Sequence, residues 1–276
     1  MNYQNRTVII TGASSGIGRE YARVFAGKRA RLVLTGRREK KLDEAREEAM
    51  GLGAASVELI VGDLADARTA SAVEAIAGDR NTAVLINNAG FSHYGNVAES
   101  ECGPLLDMLM VQAEVPLRLC REALRGMRHA GSGLIINVGS LAGRVAVPGS
   151  ALYVATKCFL ERLSETLALE AAADGVVVQA LTPGYVRTDF HRDIENYQEK
   201  RQNRGLIRWM DADAVVRRSL RAADRAHRRL RSHPHAIPRR RDVIVIPGAA
   251  NRFLGALSPL VPRNLVYRAA MRQPRR

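Results

Sequence analysis

Acidic side chains become scarce two-thirds of the way along this chain. Residues 1–186 carry 20 Lys and Arg against 20 Asp and Glu. Residues 187–276 carry 22 against 8, and so hold the whole net charge of +14. That asymmetry points either to an anionic partner for the C-terminal part or to an Arg-rich solvated surface. Nucleic acid is not the expected partner, because the basic region has no reader motif and no regular aromatic interleaving. Cysteine is also sparse. Cys102, Cys120 and Cys158 are far apart, odd in number and without metal-ligand spacing, so free thiols in a reducing compartment and no metal site are expected. Long apolar runs are missing: none approaches the roughly 18 residues of a membrane span, and Met1-Asn2-Tyr3-Gln4-Asn5-Arg6 has no signal-peptide core. A soluble, cytoplasmic protein is the expectation. With 276 residues, 46% of them hydrophobic, the chain can bury a substantial core.

What is present is a strict alternation. Thr7-Val8-Ile9-Ile10-Thr11 is a β-branched apolar run and reads as a buried strand. Gly12-Ala13-Ser14-Ser15-Gly16-Ile17-Gly18 follows and leads into a helical pattern. Strand, glycine turn and helix together form a dinucleotide-phosphate site, where glycines admit the pyrophosphate and the helix N-terminus offers free N–H groups. The spacing G-x-x-x-G-x-G departs from the common G-x-G-x-x-G. A second strand, Arg31 to Thr35, ends in Gly36-Arg37-Arg38. An acid there would bind ribose hydroxyls, whereas arginines pair with a 2′-phosphate. Arg37 and Arg38 therefore predict NADP(H), with plain surface charge as the alternative.

Further strands are expected at Val57–Val61, Ala83–Ile86, Leu134–Gly139, Val176–Leu181 and Asp242–Gly248, with helices over about 39–50, 66–77, 104–129 and from Asp211 to about Ala226. Alternation of this kind implies a Rossmann-like, doubly wound α/β fold with a seven-stranded parallel sheet and helices on both faces. Ligands in such sheets bind at the carboxyl ends of the strands. Gly12, Arg37, Asp63, Asn87, Ser140 and Pro183 all fall at those ends.

Ser140 opens the most informative stretch. It ends a strand, and the next helix carries Tyr153 and Lys157, four residues apart and hence on one face. A nearby cation favours a phenolate, so Tyr153 can serve as a general acid or base. Ser140 offers a hydroxyl to a carbonyl oxygen. Tyr-x-x-x-Lys alone also arises by chance; the six strand ends give it meaning.

Over roughly residues 5–190 the chain resembles a short-chain dehydrogenase/reductase. The resemblance rests on Thr11 to Gly18, Asp63-Leu64, Asn87-Asn88-Ala89-Gly90, Ser140, Tyr153-x-x-x-Lys157 and Pro183-Gly184-Tyr185-Val186-Arg187-Thr188. It implies that Asp63 and Leu64 lie at the adenine, that Asn87, Ala89 and Gly90 line its ribose side, and that Val186 and Thr188, after Pro183 and Gly184, hold the nicotinamide carboxamide. Tyr153 and Lys157 would touch the cofactor too, with Lys157 on the nicotinamide ribose. The family places an Asn of a proton relay in the helix after Asn-Asn-Ala-Gly; the matching residue here is Gln112, one methylene longer.

The expected organisation is one domain over 1–248, with a substrate flap about 189–210, and a basic amphipathic extension over 249–276 broken by Pro259 and Pro262. Trp209 either packs or lines the pocket. The flank Thr188-Asp189-Phe190-His191, the stretch Trp209-Met210-Asp211-Ala212-Asp213 and this extension together resemble reductases acting on long acyl chains, including mycolate-type 3-oxoacyl reductases, and the extension would serve as lid, dimer contact or membrane-surface element. The implied activity is NADP(H)-dependent reduction of a ketone, or oxidation of a secondary alcohol such as a hydroxysteroid-like substrate, with a nucleotide-binding or membrane-surface protein lacking catalysis as a third reading. The implied partners are a small-molecule or acyl-chain carbonyl substrate, with an acyl carrier or a peripheral membrane contact. A homodimer or homotetramer is expected.

Overall fold

The β-branched runs form one sheet, because parallel strands satisfy each other's backbone groups while helices cover both faces. In chain order the strands are Thr7–Thr11 (β1), Arg31–Gly36 (β2), Ser56–Val61 (β3), Thr82–Asn87 (β4), Gly133–Val138 (β5), Val176–Leu181 (β6) and Ile244–Val245 (β7). They lie in the order β3-β2-β1-β4-β5-β6-β7, every pair parallel. The helices are Gly16–Ala26 (α1), Glu39–Gly51 (α2), Ala67–Ala77 (α3), Cys102–Leu109 (α4), Val115–Ala130 (α5), Ala151–Glu170 (α6), Ala212–Ser232 (α7), Arg240–Val243 (α8) and Ala249–Leu257 (α9). This computed structural model describes residues 1–191, 203, 208–233, 236–257 and the single positions 262, 264, 267, 268 and 271. It has the doubly wound, seven-stranded α/β fold that the alternation implies.

Side chains alternate across the sheet, as the two-residue period of a strand requires. Val8 and Ile10 join Tyr21, Phe25, Leu42 and Val216 on one face, and Ile9 and Leu85 join Val73, Leu119 and Met127 on the other. Each fully buried side chain of this size contributes about 1.5–3 kcal/mol. A polar seam fastens α7 to the first face. The Tyr21 hydroxyl donates to Ser219 Oγ at 2.6 Å, and Ser219 donates in turn to Gln179 of β6. Among the described residues no helix is long and apolar enough to cross a membrane.

Strand order reverses between β1 and β4, which opens a crevice at their carboxyl ends. Two expectations change. The seventh strand is two residues long rather than seven, because Asp242 is drawn into a helical turn by the Arg225 guanidinium, with bonds of 2.9 and 3.2 Å, and Pro247 and Gly248 end the ladder. Helix α7 runs to Ser232 instead of Ala226, since no Gly or Pro interrupts the Arg-rich turns. The amphipathic extension is helical over Ala249–Leu257. Most of the expected flap (192–202 and 204–207) and most of 258–276 lie outside the described residues.

Candidate active site

The glycine turn is shaped by contacts that leave no room for side chains. A Cβ on Gly12 would lie 2.9 Å from the Ala89 Cα, one on Gly16 2.7 Å from Thr188 Cγ2, and one on Gly18 2.5 Å from the Gly12 carbonyl. Gly12 and Gly16 also adopt φ of 66° and 57°, a region that favours glycine. Ser15, the N-cap of α1, makes no side-chain cap bond, so the first N–H groups of the helix face the crevice unsatisfied by a cap. A cradle of this shape fits a pyrophosphate.

Behind the turn, Thr11 and Asn88 fix its path. Thr11 Oγ1 accepts from the Asn88 and Ala89 N–H groups, both at 2.9 Å, and Asn88 Nδ2 donates to the Thr11 and Gly12 carbonyls, both at 3.0 Å. The neighbouring Asn87 goes elsewhere. It is buried and donates to Asn137 Oδ1 at 2.8 Å, within a core network that includes Cys120 and Ser164. Asn88 thus braces the turn, while the Asn87 side chain braces β4 against β5.

The two arginines divide. Arg38 donates to Ser14 Oγ at 2.9 Å, to Ser15 Oγ at 2.7 Å and to Asp189 at 3.3 Å. Lys41, one turn into α2, also reaches Asp189 at 3.4 Å. Arg37 lies farther out, 3.3 Å from Asp63 Oδ2 and over the Phe91 ring. Asp63 also accepts from Ala65 N–H at 2.9 Å, and Leu64 is buried beneath it. Among the described residues the cations at the end of β2 therefore number three rather than two. Lys41 was not singled out from the sequence, although its spacing from Arg38 carries the signal.

At the ends of β4, β5 and β6 the remaining groups gather. Lys157 is buried and donates to the Val138 carbonyl at 3.2 Å; its Nζ lies 5.6 Å from the centre of the Tyr153 ring. Part of Tyr153 stays open to solvent, yet burial of its hydroxyl pushes the phenol up to about 12, against the pull of a Ser140 hydrogen bond. Tyr94 and Tyr185 stand near enough to push the same way. Desolvation lowers Lys157 to about 8. Proximity to Lys157 suggested a lowered phenol, but burial outweighs it, and Tyr153 is protonated at neutral pH. That is the state a proton donor needs.

Gln112 sits in a π-helical turn, Met110–Glu114, between α4 and α5. Such one-turn bulges concentrate at functional sites. Its Nε2 donates to the Phe91 carbonyl at 2.8 Å, while the buried Oε1 has no hydrogen-bond partner among the described residues. A Cβ on Gly90 would lie 2.8 Å from that oxygen and 3.4 Å from Lys157 Nζ, so amide and ammonium flank the same glycine.

Pro183, Gly184, Val186 and Thr188 close the far wall. The Pro183 carbonyl accepts from Leu141 N–H at 2.9 Å, Val186 pairs with Met210, and Gly184 abuts Asn251 of α9. Trp209 packs in the interior: it is buried, and its ring lies 4.9 Å from that of Tyr185. Phe190 approaches the Tyr153 ring at 6.0 Å.

Comparison with known proteins agrees with this geometry. The family described as short chain dehydrogenase matches residues 6–199. The chain is 33% identical over 195 residues to the dehydrogenase/reductase SDR family member 7B of Danio rerio, covering 68% of this chain but 63% of that relative, less than two thirds of its length. It is 30% identical over 199 residues to the 3-oxoacyl acyl-carrier-protein reductase FabG of Escherichia coli, covering 72% and 80%. A short-chain dehydrogenase from Sphingobium yanoikuyae, solved in complex with NADPH, superposes with a TM-score of 0.75 at 28% identity over 98% of both chains. The chain belongs to the short-chain dehydrogenase family.

Proposed function

We propose that this oxidoreductase uses NADP(H) to reduce a ketone to a secondary alcohol. The observation that carries the reading is the convergence of Ser140, Tyr153 and Lys157 at strand ends facing the glycine turn, with Arg38 and Lys41 at its edge. The chemistry such a cofactor supplies is hydride transfer to the carbonyl carbon. Tyr153, protonated by virtue of its burial, gives its proton to the carbonyl oxygen as charge builds there. Ser140 hydrogen-bonds the same oxygen, and fixed donors aimed at developing charge lower the barrier most. The Lys157 ammonium then stabilises the tyrosinate left behind. Gln112, beside Lys157 across Gly90, offers its unpartnered oxygen to the path by which Tyr153 regains a proton.

For substrate, the aromatic rim of Tyr94, Tyr185, Phe190 and Trp209 favours a bulky or long apolar ketone, and the similarity to a 3-oxoacyl reductase supports an acyl chain. The positive charge of residues 187–276 suits an acidic acyl carrier. The test follows NADPH consumption with 3-oxoacyl thioesters of graded length, free or carrier-linked, and with bulky ketones, against NADH in parallel. The account expects NADPH to be preferred by about tenfold or more, a rise in kcat/KM with chain length, and salt sensitivity only for carrier-linked substrates. Preference for NADH, or no carbonyl accepted, overturns it.

A further inference from the structure

Arg144 and Glu161 form a nearly dry ion pair beside the catalytic cluster, their side chains 11% and 8% exposed. The geometry is two-pronged: Arg144 Nε donates to Glu161 Oε2 at 3.0 Å, and its NH2 nitrogen donates to Oε1 at 2.8 Å. The third guanidinium nitrogen, NH1, donates to the Gly255 carbonyl of α9 at 3.1 Å. Glu161 Oε2 also accepts from Thr182 Oγ1, at the end of β6, at 3.4 Å. Four segments of chain therefore meet on two side chains.

Their place in the chain matters as much as their burial. Tyr153, Lys157 and Glu161 follow one another at four-residue spacing and occupy one face of α6. Opposite them runs the segment from Val138 through Ser140 to Arg144, the last four residues of it a 3-10 turn, Leu141–Arg144. Lys157 bonds the Val138 carbonyl on the near side of Ser140, and Glu161 bonds Arg144 on the far side. Between the two ties the backbones touch, since a Cβ on Gly143 would lie 2.8 Å from the Lys157 carbonyl carbon and from Cys158 N. Ser140 is thus held at both flanks against the helix that carries Tyr153.

The α9 contact is equally tight. Gly255 is buried, and a Cβ there would come within 2.7 Å of Ile246 Cδ1 and 3.6 Å of Arg144 NH1. Asn251 on the same helix abuts Gly184, one residue past Pro183, whose carbonyl takes the Leu141 N–H. Helix α9 therefore braces the turn after Ser140 from outside.

We propose that Arg144 and Glu161 are positioning residues that set the distance from Ser140 to Tyr153, and that Arg144 makes α9 part of the catalytic scaffold. A buried pair can instead serve only to hold the fold, in which case apolar side chains of similar volume replace it without loss. This positioning role rests on the reductase reading given above, and the experiment separates the two.

Arg144→Met combined with Glu161→Leu removes both charges together, leaving neither one stranded in the interior. Four quantities are measured on the double variant and the parent: melting temperature, NADPH dissociation constant, kcat with KM for a ketone, and amide hydrogen exchange over 249–257. Positioning predicts NADPH binding and KM within about threefold of the parent, with kcat lower by about tenfold to a hundredfold, the cost of a small misplacement of reacting groups. It also predicts faster exchange over 249–257, where the tie from Arg144 to the Gly255 carbonyl has been cut. A double variant with parental kcat overturns the positioning role, and unchanged exchange overturns the tie to α9. Should that variant fail to fold, Arg144→Lys decides. It keeps the charge and one bond but not all three, so kcat falls below the parent while melting is little changed; equal kcat contradicts the proposal. A parent protein without ketone-dependent NADPH oxidation sinks the reductase reading instead, and the positioning role with it.

Discussion

Residues 1–188 and residues 208–257 meet at the same strand ends but are built by different rules. The first region is electrically balanced, and its contacts to the crevice come from residues that the backbone dictates: Gly12, Gly16 and Gly18 where no Cβ fits, Thr11 and Asn88 where backbone groups of the turn need partners. The second is strongly basic and meets the crevice through ordinary packing. Trp209 lies against Tyr185, Val186 pairs with Met210, and α9 rests on Arg144 and Gly184. A cofactor of fixed shape demands particular backbone turns, and so leaves a residue pattern. A substrate pocket demands only volume and polarity, which many sequences can supply.

If this division is right, changes in the first region alter the chemistry or the cofactor, and changes in the second alter the substrate. Tyr153→Phe is the strongest way to break it. The account expects turnover to fall by about 10²–10⁴-fold, the usual cost of a lost general acid. Fluorescence titration should show NADPH affinity nearly unchanged. Kinetics close to the parent's would remove Tyr153 from the mechanism.

Arg38→Ala comes next. A charge-assisted bond to a 2′-phosphate is worth about 1.5–3 kcal/mol, so NADPH affinity should drop roughly tenfold to a hundredfold while NADH is little affected. Arg37→Ala should do less, since Arg37 is turned out toward Asp63. Equal weakening of both cofactors by Arg38→Ala, measured by titration, would show that Arg38 only supports the turn through Ser14 and Ser15.

A smaller effect is expected at Gln112. Gln112→Asn keeps an amide at the buried position beside Gly90 and should retain most activity, whereas Gln112→Leu should lose about tenfold, less than the roughly 10²–10⁴-fold of a direct proton donor because Gln112 only assists the relay. Indistinguishable rates for the two would exclude a relay through this residue.

The mildest change is in pH dependence. Burial lowers Lys157 to about 8, so the ammonium is present below that pH and lost above it. Tyr153, raised to about 12, stays protonated throughout the accessible range. Reductive kcat should therefore be level below pH about 8 and decline as pH rises through it. A rate that climbs across the same window would mean that Tyr153 must first ionise.

Much of this was legible in the sequence, for reasons that particular residues make plain. The alternation of Val8, Ile9 and Ile10 across the sheet, and the glycines at places where no Cβ fits, give the fold and the cofactor turn. Ser140, Tyr153 and Lys157 could be paired because one strand end and one helix face suffice to bring them together. Asp242 misled the strand prediction because its partner, Arg225, lies 17 residues away in another helix. Arg144 and Glu161 gave no signal for the same reason, and Gly255 lies 111 residues from Arg144. The phenol of Tyr153, expected to be lowered beside Lys157, is raised instead, because desolvation dominates and shows only once the surroundings are known.

The central claim is that hydride from NADPH and a proton from Tyr153 reach the same carbonyl. The most direct measurement uses NADPH deuterated at the transferable position of the nicotinamide, a bulky ketone or 3-oxoacyl thioester, and mass spectrometry of the product. The account predicts an alcohol carrying one deuterium on the carbinol carbon with the parent protein, and almost none formed by Tyr153→Phe. An alcohol without the label, or labelled alcohol formed equally by both proteins, would contradict it.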